Sequence, residues 1–119
     1  MATGMSSYLA NTFLNSFTTK YVQLHVGDPG ISGTANTAVE TTRKSATFAT
    51  ASGGTMSSSA DVTWINIQGS QDATHFTIWD ASTSGNFLLS GTIAGNAYTQ
   101  GDNYTIPSGS LTVAFTVAS

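Results

Sequence analysis

The chain has 119 residues, with three Lys plus Arg against six Asp plus Glu, a net charge of −3, 39% hydrophobic residues and no cysteine. That length holds one domain, 1–119, because two cores would each bury too little surface to be stable. Scarce basic residues exclude a phosphate-neutralising nucleic-acid face, and the missing cysteines exclude disulfides and thiolate metal sites.

No apolar run approaches the roughly 20 residues that span a bilayer. Met1-Ala2-Thr3-Gly4-Met5 carries no basic stretch, so no secretory signal is expected. Polarity comes from Ser, Thr, Asn and Gly rather than from charge. A surface of that kind has little repulsion to keep copies apart and tolerates close neighbours.

One segment has helical spacing. Between about residues 6 and 17, Leu9, Phe13 and Phe17 recur four apart and Leu14 widens the stripe, with Ser6 or Ser7 available as the cap. A helix of about three turns is marginal alone and needs a surface to lie on. Its apolar stripe either packs over the chain's own β-domain or docks on a neighbouring subunit.

From about residue 20 to 118 the pattern alternates with period two. Val22, Leu24 and Val26 oppose Gln23 and His25, Ala46 and Phe48 flank Thr47, and Ala60, Val62 and Trp64 oppose Asp61 and Thr63. Phe76 and Ile78 oppose Thr77 and Trp79. Residues 87–93 alternate less cleanly, Asn103-Tyr104-Thr105 reads as strand, and Leu111, Val113, Phe115 and Val117 close the chain. Turn markers separate these runs at Asp28-Pro29-Gly30, Gly53-Gly54, Ser84-Gly85-Asn86, Gly95-Asn96 and Pro107-Ser108-Gly109. Six or seven short strands with regular turns predict a mainly β fold, an antiparallel β-sandwich of jelly-roll or Ig-like type with one short N-terminal helix. Parallel crossovers are excluded, since only one helix is available to connect strands.

One connection is long. No clear strand lies between Val26 and Arg43, and loops beyond roughly 12–15 residues tend to be functional or mobile. Ile31 and Val39 inside it are costly to leave in water. They fold back on the domain or meet a partner.

Chemistry-bearing patterns are sparse. His25 and His75 sit in strand patterns without a nucleophile motif beside them, and the acids Asp61, Asp72, Asp80, Asp102 and Glu40 are scattered over separate segments. Asp80 follows Trp79 at a strand end, where a turn role is expected. Asp28 lies in a glycine-rich loop that lacks the alternating acids of a calcium-binding loop. No cofactor, metal site or catalytic residue is expected. Trp64, Trp79, Tyr98 and Tyr104 are read as core aromatics before a sugar-stacking patch.

Two stretches carry a resemblance. Tyr21-Val22-Gln23-Leu24-His25-Val26-Gly27-Asp28-Pro29-Gly30, followed by Gly33-Thr34-Ala35-Asn36, is similar to the opening of small tailed-phage proteins often labelled tail fibre. Thr74-His75-Phe76-Thr77-Ile78-Trp79-Asp80-Ala81, then Gly85-Asn86-Phe87-Leu88-Leu89, resembles their central block, and Ile106-Pro107-Ser108-Gly109-Ser110-Leu111-Thr112-Val113 their last strand. The family usually has a glycine-rich turn ending in Tyr-Ala-Arg before the strand at Ala46, where this chain reads Glu40-Thr41-Thr42-Arg43-Lys44.

The resemblance implies a non-enzymatic virion component, assembled in the host cytoplasm. The expected function is capsid decoration, a trimer on the outer capsid surface that cements the major capsid protein. The alternative is a tail-fibre or tail-tip subunit for host-surface attachment. Neither nucleic acid nor membrane is an expected partner. The residues expected to make subunit contacts are Leu9, Phe13 and Phe17 on the helix, and Gly27, Asp28, Pro29, Gly30, Ile31 and Asn36 in the loop.

Overall fold

The computed structural model describes residues 4–16, 20–93 and 97–114. A single helix, α1 (Ser7–Asn15), precedes ten strands among them. These are β1 (Tyr21–His25), β2 (Lys44–Ser45), β3 (Thr55–Ser57), β4 (Val62–Trp64), β5 (Gln71–Asp72), β6 (His75–Trp79), β7 (Phe87–Thr92), β8 (Ala97–Tyr98), β9 (Tyr104–Ile106) and β10 (Thr112–Ala114). Four form one sheet in the order β2-β1-β6-β7, and the rest pair as β10-β3, β4-β9 and β5-β8, all antiparallel.

The mainly β class and the N-terminal helix match the sequence reading. The described residues do not form two broad sheets: besides the four-stranded sheet they form three separate two-stranded ribbons. Three strands, β2, β5 and β8, are two residues long, and four more, β3, β4, β9 and β10, are three.

Ser6 caps α1, its hydroxyl accepting the Leu9 N–H at 3.1 Å. The helix ends at Asn15, short of the expected boundary, and Phe17 lies outside the described residues. Its packing face differs from the expected Leu9–Phe13 stripe. Ala10 and Leu14 are buried, while Leu9 and Phe13 are 45% and 52% exposed. Two asparagines fix that rotation: Asn11 Oδ1 accepts the Gly54 N–H at 2.8 Å and Asn15 Oδ1 accepts the Ala51 N–H at 3.0 Å. They follow the buried Ala10 and Leu14 directly in the chain, so the polar anchors border the packed face. The polar anchors, rather than the largest side chains, choose the face.

The core faces of β1 and β6 keep the predicted phase. Val22 and Leu24 of β1 stand opposite Ile78 and Phe76 of β6, and all four are fully buried. They join Leu14, Met56, Val62, Trp64, Ile67, Tyr104, Ile106, Leu111 and Val113 in one apolar cluster, with Leu88 and Leu89 against it. Burying each such side chain contributes roughly 1.5–3 kcal/mol.

Strand β6 departs from simple alternation, since Phe76, Thr77, Ile78 and Trp79 are all buried. Both faces of the sheet are covered at that strand. The core covers one, and residues from the long connection cover the other. Val26, expected to continue the core phase of β1, lies beyond its end and is 36% exposed.

Candidate interaction surface

The long connection closes on itself directly after β1. The Val26 N–H donates to Asn36 O at 2.9 Å and the Ala38 N–H donates to Leu24 O at 3.1 Å, so residues 36–38 run back beside β1 as a short neck. Between the two sides of that neck lies a tight loop. Asp28 Oδ1 accepts the Gly30 N–H at 2.9 Å, the Ala35 N–H donates to Pro29 O at 2.9 Å, and Asn36 Nδ2 donates to Asp28 O at 2.8 Å. Pro29 is buried, and Gly33 lies so close to Phe87 that a Cβ there would sit 2.6 Å from the ring. Its φ of +72° independently favours glycine.

A buried relay fastens this loop to the sheet. His25 Nδ1 is 2.9 Å from Ala35 O, and His25 Nε2 is 2.9 Å from Thr77 Oγ1, which in turn accepts the Trp79 indole N–H at 2.7 Å. A carbonyl only accepts, so Nδ1 carries the proton and the neutral ring accepts the Thr77 hydroxyl at Nε2. Every polar group in the relay is then satisfied. Burial pushes the His25 pKa below its usual value; the Ala35 carbonyl opposes that, and the neighbouring charge of His75 adds to it.

Arg43 closes the other end of the same sheet face. Its guanidinium carbon lies 4.0 Å from the centre of the Trp79 ring, Nε donates to Gln23 Oε1 at 3.0 Å, and Nη1 donates to Ala81 O at 3.0 Å and Ser84 O at 2.6 Å. Cation–π stacking and three hydrogen bonds bind the turn after β6 to the sheet. The segment 40–44 thus supplies an arginine with a defined structural place.

The result is a pinned loop with an apolar tip. Ile31 is fully exposed, at 100%, on a backbone tied at Gly30, Gly33, Ala35 and Asn36. Of the expected contact residues, Asp28, Gly30 and Asn36 are exposed as well, whereas Pro29 serves the loop's interior. Gly27 lies under the Asn36 side chain. The helix residues Leu9 and Phe13 form a second exposed area, joined by Tyr8 at 81%. The sequence reading missed Tyr8 because it lies off the four-residue stripe. The two areas are anchored differently, one through β3 and the Gly53-Gly54 turn, the other through β1, β6 and β7.

Most of the acids act as backbone caps. Asp61 accepts the Ser108 N–H at 2.8 Å, Asp102 accepts the Thr99 N–H at 3.0 Å, and Glu40 accepts those of Gln68 and Thr42, each at 3.1 Å. Asp80 accepts the Asn86 N–H at 2.7 Å, and this bond together with the Asn86 side-chain amide holds its carboxyl below the usual range. Trp64, Trp79, Tyr98 and Tyr104 are buried, as expected of core aromatics. Burial, then Glu40 and Asp72 nearby, raise the Tyr98 pKa and keep the hydroxyl protonated. Among the described residues, no group of three or more His, Cys, Asp or Glu side chains is placed to hold a metal ion, and no helix is long and apolar enough to cross a membrane.

A family model described as Podophage GP4 fiber I protein gp80 matches residues 4–114 of the chain. No curated protein matches it.

Proposed function

The chain belongs to the podophage GP4 fiber I protein gp80 family, and from that membership we propose that it is a non-enzymatic fibre subunit of the virion, joined to its neighbours through the Ile31 loop and the outer face of α1. A virion structural role follows from the family. The attachment surfaces are argued from the geometry.

The observation that carries them is the rigidity beneath Ile31. A flexible loop loses conformational freedom when it docks, which subtracts from affinity. Here the His25–Thr77–Trp79 relay and the Gly33–Phe87 packing have already ordered the backbone, so contact area at the tip adds to binding with little ordering cost. A residue held in water on such a support is suited to entering an apolar recess on another subunit. Tyr8, Leu9 and Phe13 give a second contact of the same chemistry, and two modest contacts on one rigid body reinforce each other.

A second reading is capsid decoration. It is favoured by the absence of any repeat or long shaft among the described residues, where the longest element is a nine-residue helix. The surfaces would then meet the major capsid protein. Quantifying the band of this protein against the coat protein in purified virions separates the two readings. A few copies per particle support the fibre, and a number comparable with the capsomers supports decoration.

A further inference from the structure

The four-stranded sheet has two unlike edges. At one, β2 is two residues long, carries Lys44 and follows Arg43, features that discourage another strand from joining. At the other, β7 runs six residues, Phe87-Leu88-Leu89-Ser90-Gly91-Thr92, with neither charge nor proline. Among the described residues no strand lies beyond it. Its irregularity is confined to one end, between the Ile78–Leu89 and Trp79–Phe87 pairs.

The outward groups can be named. The Ile93 N–H donates to Thr74 O at 3.0 Å, so residue 93 bonds towards β6. Antiparallel strands alternate in that respect, which turns Gly91 and Leu89 towards β6 as well. Ser90 and Thr92 therefore direct their N–H and C=O groups away from the sheet, and both residues are exposed. At Gly91 a Cβ would sit 2.8 Å from the Phe76 ring, so the strand carries no side chain between them.

We propose that this edge pairs with β7 of a second copy of the chain, antiparallel about a two-fold axis, to make one continuous eight-stranded sheet. An antiparallel strand pair is self-complementary under a two-fold, so each copy offers the donors and acceptors the other lacks. The strand is neutral, so no charge meets its own image; pairing through β2 would bring Lys44 towards the second Lys44. A three-fold ring would need β7 to dock on β2, which offers a ladder of two residues. The edges thus select a pair over the trimer expected from the resemblance. The pairing is independent of where in the particle the subunit sits.

The test is the mass of the purified full chain by sedimentation equilibrium over a concentration series. The expected species has twice the chain mass. Ser90→Lys and Thr92→Lys each convert it to the single-chain mass with an unchanged circular dichroism spectrum, while Leu9→Ser leaves it paired. Amide exchange on the unsubstituted protein gives a second readout that needs no variant: Ser90 and Thr92 amides are protected, and their protection is lost on dilution. A chain monomeric throughout, a trimer, or a pair whose Ser90 and Thr92 amides exchange freely overturns the proposal.

Discussion

His25 and Thr77 share a buried hydrogen bond of 2.9 Å across β1 and β6, and through it the loop carrying Ile31 is joined to the indole of Trp79. His25 and Thr77 are both fully buried, so the loop's position is set inside the protein rather than at its surface. Replacing Thr77 by Val keeps the shape and removes the hydroxyl. The Trp79 N–H and His25 Nε2 are then left without their partner, at a cost of about 1–3 kcal/mol for each group. Urea denaturation is expected to show a lower midpoint with an unchanged slope.

The same relay predicts a pH dependence. Burial lowers the folded-state pKa of His25 below its ordinary value, so the unfolded chain takes up a proton at pH values where the folded one does not. The stability this gives is complete above about pH 6.5 and declines as the pH falls from there to the folded-state value. Denaturation midpoints at about pH 7.5 and about pH 5.5, a window above the carboxylate range, should fall in that order. His25→Gln should flatten the difference.

Gly33 and Gly53 separate close packing from backbone conformation. Both have positive φ, +72° and +61°, but a Cβ at Gly33 meets the Phe87 ring while one at Gly53 meets nothing within 4 Å. Gly53→Ala is expected to cost only the left-handed strain, roughly 1–2 kcal/mol. Gly33→Ala should cost more and displace the loop. Melting curves of the two variants side by side check the ordering.

The two sides of α1 should respond oppositely. Leu14→Ala opens a cavity under the helix and is expected to cost about 2–5 kcal/mol. Leu9→Ser and Phe13→Ser should destabilise the domain less than that, yet reduce the protein recovered with purified virions. Thermal melts and virion gels of the three variants distinguish a packing face from a docking face.

What was legible in the sequence follows from the range of the interactions involved. Ser6, one of the two caps the sequence offers, and the core-facing Val22, Leu24, Phe76 and Ile78 are local signals, and they stand where the sequence places them. Strands β5 and β8, at two residues each, are too short to show a period. The burial of His25 was illegible for another reason. It occupies the polar phase of its strand, and what buries it is a carbonyl ten residues further on, brought back by the neck at residues 36–38. The rotation of α1 was misread because two asparagines, normally taken for solvent-facing residues, accept backbone bonds from residues some forty positions away. At the contact surface, the sequence leaves Ile31 to fold back on the domain or to meet a partner; its full exposure excludes the first, and the second is the reading proposed above.

The most direct test is the particle incorporation of Ile31→Asp. The side chain is fully exposed, so the substitution should leave the melting temperature of the isolated protein close to that of the parent. Virions assembled with the variant should contain little or none of it, because an aspartate cannot enter an apolar recess without losing its hydration. Recovery of the variant at parental occupancy would contradict docking through the loop.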